Sequence, residues 1–180
     1  MNTKRSLIAT ALLLGGLLAA APCSLKAAEV EHPAPPSALV EHARVLEGLE
    51  SLTRHPGPVG MEAKALREDM RAHLRYREEV VLPALSLLPR MAGEEATPDL
   101  VWAVALGDRV RRDRSQHLAT HLDITDHLIA IFAAAHEAGD DSAAREAQDL
   151  AAFMLGDAEV DENVTVAVAN WLRRRLPAGG

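Results

Sequence analysis

The sequence holds one cysteine, Cys23, and that residue falls in a stretch that reads as a leader. Without it the chain has no disulfide, no thiolate nucleophile and no iron–sulfur cluster. Aromatic residues are nearly as scarce: Tyr76, Trp102, Phe132, Phe153 and Trp171 complete the set, and 26 acids face 19 bases. A nucleic-acid binder needs a basic patch and stacking platforms, and this composition supplies neither. Anionic lipid would repel the chain. Strand-like alternation of any length is missing, and so is a short-period repeat. A ferritin-like di-iron oxidase would place Glu-x-x-His pairs on inward helix faces. The only such spacing, Glu29 to His32, stands in a proline-rich segment, so no oxidase and no other catalytic turnover is argued from these residues.

The N-terminus has a positive region at Lys4 and Arg5, an apolar run from Leu7 to Ala21, and small residues at Ala27 and Ala28. This describes a secretory signal over residues 1 to 28, and its apolar run is too short for a membrane span. Cleavage is expected between Leu25 and Glu29. Pro22 fits a lipoprotein processing site at Cys23 poorly, so a periplasmic or secreted protein is expected rather than a lipid-anchored one. Loss of Lys4, Arg5 and Lys26 with no acid moves the formal charge from -7 to -10. About 150 residues remain, enough for one domain with a single core.

Residues 29 to 36, EVEHPAPP, form a lead that is expected to stay mobile. The domain proper is expected over 37 to 177. Ser37 is predicted to cap a first helix reaching about Arg54, and His-Pro-Gly-Pro at 55 to 58 forces a turn. A second helix is predicted over about 60 to 89, and a loop from Met91 to Thr97 follows. Thr97 and Pro98 cap and open a third helix to about Ala138, and Ser142 caps a fourth. Arg173, Arg174 and Arg175 close that helix where its dipole favours positive charge, and Pro177 with Gly179 and Gly180 ends it. Four amphipathic helices with short connections make an all-α fold, read as an antiparallel up-down-up-down four-helix bundle.

Each apolar stripe is interrupted by polar residues. The first helix carries His42, the second His73 and Arg77, the third His117 and His121, and the fourth Asp157 and Asp161. Counted from the turns, these interruptions fall at similar depths, near 18 to 20 Å for His42 and His73 at 1.5 Å per residue. Glu78, next to Arg77, is expected to point about 100° away from the seam. His32, His55, His127 and His136 read as surface or loop residues, and Arg111, Arg112 and Arg114 as a solvated face with Arg114 nearest the seam. Two carboxylates one turn apart in a core require a cation. That cation is either a metal ion held by His42, His73, His117, His121, Asp157 and Asp161, a donor set suited to iron, manganese or zinc, or the guanidinium of Arg77 forked onto Asp157 or Asp161.

Glu41-His42, HLRYREEVVLPAL at 73 to 85, His117-x-x-x-His121 and DAEVDENVTVAVA at 157 to 169 together resemble the hemerythrin-like, HHE cation-binding bundle family. The resemblance implies a non-haem di-iron centre in a four-helix bundle, bridged by two carboxylates, with His42, His73, His117 and His121 at histidine ligand positions. It also implies oxygen or nitric oxide binding or sensing, or iron handling. Arg77 stands where that family has a bridging glutamate, Asp157 replaces a histidine, and Asp161 is a shortened bridging carboxylate. Pro83 keeps its place, whereas Ala167 replaces a proline. The expectation is therefore an exported metal-binding protein holding one altered ion site rather than a full pair, with no nucleic-acid or membrane-spanning role. The alternative is a metal-free bundle in which Arg77 pairs with Asp157 or Asp161 and the protein serves as a structural or interaction module.

Overall fold

The computed structural model describes residues 32 to 176, save the side chains of 155 to 159. The leader, its cleavage site, residues 29 to 31, and Pro177 with Gly179 and Gly180 fall outside the described residues. Among those described there are helices and turns and no strand. Helix α1 spans Pro36–Leu52, α2 Pro58–Tyr76, α3 Leu88–Ala92, α4 Val101–Ala138 and α5 Asp141–Arg175.

None of the three hydroxyls predicted as caps plays that part. Ser37 lies inside the first turn of α1, where Pro36 has already removed a donor that would need a cap. The Thr97 hydroxyl accepts from Arg90 Nη2 at 2.8 Å instead of capping. At the start of α5 the cap is Asp140, whose Oδ1 accepts from the Ala143 N–H at 3.0 Å. Gly139, with φ 68°, ends α4 in the left-handed conformation and so brings Asp140 into the cap position two residues before Ser142. The lead is not loose where it is described. His32 stacks on Trp102 with ring centroids 3.7 Å apart, and Ala34 is buried.

The predicted second helix, about 60 to 89, is a single helical path whose pitch changes. Pro83 has no N–H to offer the Glu79 carbonyl, and its ring crowds that oxygen. The chain responds by widening into a π turn over Arg77–Val81, in which the Leu82 N–H reaches the Arg77 carbonyl. It then tightens into a 3-10 turn over Leu82–Leu87 before α3. The Val81 carbonyl accepts from Thr165 Oγ1 of α5 at 2.7 Å, so the irregular backbone is tied to a neighbouring helix.

Helix α4 packs against α5 and α2, and α1 against α2 and α5. One apolar cluster gathers Leu49, Leu66, Met70, Ile124 and Ile131 near the turn joining α1 to α2. A second joins Leu87, Leu100, Ala103, Trp171 and Leu172, with Val80, Val81 and Val110 beside it. Each buried side chain of this size contributes about 1.5–3 kcal/mol. These two clusters offset the cost of a polar layer between them, where His42, His73, Arg77 and His117 are all buried.

Candidate metal centre

Three imidazoles converge. His73 comes from the last turn of α2, and His117 and His121 from successive turns of α4, where spacing of four puts both on one face. One ligand atom from each lies within 4.8 Å of the other two. The His73 and His117 rings stack at 4.8 Å with planes 13° apart, and His121 meets both at 4.7 to 4.8 Å. Tyr76 closes one side, its ring 4.8 Å from that of His117, under the guanidinium of Arg109 at 5.7 Å.

The proton positions follow from the partners. Glu162 of α5 sits on His117 Nδ1, and because a carboxylate accepts, that nitrogen carries the proton. His117 Nε2 then presents a lone pair toward His73 Nδ1 at 3.1 Å, which makes the latter the donor. His73 Nε2 is left with a lone pair, buried and without a hydrogen-bond partner. Burial, followed by repulsion from His117, His121, Arg77 and His42, lowers the His73 pKa from 6.5 to about 2. The ring is therefore neutral, the form that binds metals. A carboxylate behind one imidazole fixes its tautomer and raises its basicity, as in metal centres generally. The donor chemistry and the orphaned His73 nitrogen fit a divalent ion.

The remaining predicted ligands have other partners. His42 Nδ1 donates to Glu78 Oε1 at 2.8 Å and lies outside the group of three. Glu78 lies about 100° around the helix from Arg77 and meets His42 there because α1 packs against α2. Arg77, almost fully buried, donates from Nη2 to Asp161 Oδ2 at 2.6 Å. The side chain of Asp157 lies outside the described residues. Arg114 is exposed rather than buried on the seam, and it lines a pocket of about 80 Å³ together with His117, His121, Glu162 and Asn163. Burial raises the Tyr76 pKa to about 12, with the carboxylates of Asp113 and Glu162 adding to it.

Of the four histidines read as surface or loop residues, three are partnered, His32 by its stack on Trp102. His55 Nδ1 donates to Asp140 at 2.7 Å, and His127 lies between Glu62 at 2.9 Å and Asp69 at 3.6 Å. His136 is exposed.

Glu162 and Glu78 are the partners of the candidate site's histidines that sequence reasoning passes over. Both sit one position from a seam residue, where periodicity alone assigns them to solvent. No family model, no curated protein and no solved structure matches the chain.

Proposed function

We propose that this chain is an exported metal-binding protein of the hemerythrin-like kind, an up-down four-helix bundle holding one divalent ion on His73, His117 and His121. The observation that carries the reading is the convergence of those three ligand atoms within 4.8 Å, with His73 and His117 buried and His121 half-buried. A second ion has no free place in this scheme. The position where the family has a bridging glutamate is Arg77, and its guanidinium is already bound to Asp161. A cation there repels a second metal and leaves one. Three imidazoles suit zinc and iron(II) better than manganese, which prefers carboxylate oxygen. Three protein ligands leave the ion an open position, and oxygen or nitric oxide at an iron so held would make the protein a gas binder or sensor. The role is binding rather than turnover.

The Arg77–Asp161 pair supports a second reading, in which the bundle is metal-free and structural. Elemental analysis decides between the two, using protein produced in iron-, manganese- and zinc-supplemented media. About one ion per chain, lost in His73→Ala, is the expected result. No metal from any medium, with the helices intact, would leave the structural reading.

A further inference from the structure

The inner stripe of α4 is occupied by the core, with Val110, His117, Ile124, Leu128, Ile131 and Ala135 buried. A second apolar stripe runs along its outside. Leu118, Leu122, Ile129 and Phe132 are 55%, 59%, 61% and 47% exposed. With Thr125 between them they step by four, three, four and three residues. That 3.5-residue rhythm is the pattern of a seam packed against another helix. A helix side turned to water has no reason to keep it. Helix α4 also lies within the only described segment long and apolar enough to cross a membrane, and the apolar window of that segment is just 22% buried.

A groove of about 400 Å³ follows the seam, walled by Leu122, Ile129 and Phe132 from α4 and by Ala147, Ala151 and Met154 from α5. The alanines leave room for side chains arriving from outside. Exposed apolar surface of this kind marks an interaction site.

Charge indicates the occupant. Arg112 and Arg114 lie at the N-terminal end of the seam, and Glu137 and Asp141 beyond its C-terminal end. All four are exposed, and none forms an ion pair among the described residues. Two copies of α4 laid antiparallel bring the arginines of each over the acids of the other, twice by symmetry. Parallel pairing stacks like charges. A single patch that complements itself under a two-fold rotation is what an isologous dimer requires. We propose that the outer seam of α4 is the contact between two copies of this chain, paired antiparallel about the region of Thr125. The contact closes the groove on the side of His121 and forms whether or not metal is bound.

Light scattering on the purified full chain, at tens of micromolar, tests this. The expected mass is twice that of one chain, and Leu122→Glu and Ile129→Glu are each expected to halve it with unchanged helical circular dichroism. In a Cys23→Ser background, Thr125→Cys should cross-link to its mate, whereas Leu118→Cys, some 20 Å from its mate in an antiparallel pair, should not. A monomer at every concentration overturns the proposal, as does a dimer indifferent to both glutamates. Cross-linking at Leu118→Cys, with or without Thr125→Cys, overturns the antiparallel arrangement. A monomer that sediments with phosphatidylcholine vesicles, and no longer does so as Leu122→Glu, assigns the seam to lipid instead.

Discussion

Arg77 on the π turn after α2 and Asp161 on α5 are joined at 2.6 Å, although 84 positions separate them in the chain. The arginine is almost fully buried, and its aspartate partner is 22% exposed at the side chain. Removing the guanidinium leaves a carboxylate that water reaches only in part. Arg77→Met is expected to cost about 3 kcal/mol in metal-free protein, the low end for breaking a buried pair because Asp161 keeps some solvent. Urea denaturation measures it. An unchanged midpoint would show that the pair carries no structural load.

The reverse substitution probes the metal. Arg77→Glu replaces a cation beside the histidines with an oxygen ligand and frees Asp161. The variant is expected to bind metal more tightly than the parent, and to take a second ion at high iron. Isothermal titration with iron(II) or zinc gives both the affinity and the number bound. Stoichiometry and affinity no greater than the parent's would mean that Arg77 does not limit the site.

Glu162 should matter to metal binding though it touches no metal position. It holds His117 by Nδ1 and so keeps Nε2 unprotonated and aimed at His73. Glu162→Gln preserves shape but offers a weaker acceptor, or a donor if its amide turns. A loss of about 10- to 100-fold in metal affinity is expected, the usual size for a residue behind a ligand. Equal affinities for the two proteins would remove Glu162 from the site.

The polar layer was legible because its residues break a strong pattern. His73, Arg77, His117 and His121 fall on stripes otherwise filled by Leu66, Met70, Val80, Val110 and Ile124, and the 3.6-residue period places them without any tertiary information. The pairings among them were less legible. Asp161 could be foreseen as a partner for Arg77 on charge alone. Whether His42 meets a metal or Glu78 depends on which side of α2 faces α1, and the period within one helix is blind to that. Helix starts failed for a local reason: serine and aspartate both cap, and Gly139 chose between Asp140 and Ser142 by ending α4 where it did.

The His73 environment sets a pH dependence. Its pKa falls from 6.5 to about 2 in the fold. Between those values the unfolded chain holds a proton on this ring that the folded chain does not. Stability therefore rises with pH across that window and is lost on acidification, with a slope approaching about 1.4 kcal/mol per pH unit from this group. Metal-free protein unfolded in urea at intervals between about pH 4.5 and 7.5 should show the slope, and His73→Gln should flatten it. A parent and a variant with parallel profiles would mean that His73 takes up its proton without opening the fold.

Close approach of α4 and α5 gives a test that is independent of the metal. A Cβ built on Gly107 overlaps the Cβ of Ala169 and comes within 3.3 Å of the Thr165 carbonyl. Helix backbone carries both neighbours, so neither can yield by a rotamer change. Thr165 is also the residue that holds the Val81 carbonyl at the irregular turn, so pushing α5 away strains that bond too. Gly107→Ala would gain about 0.5–1 kcal/mol of helix propensity on an open surface. Here it is expected to destabilise by about 1–3 kcal/mol through overpacking. Ala169→Gly added to it should recover most of the loss by removing the opposing methyl, even though a glycine inside a helix costs something by itself. A double-mutant cycle by thermal unfolding reads the coupling. If Gly107→Ala is stabilising, or if the two substitutions simply add, the helices are not in contact at this pair.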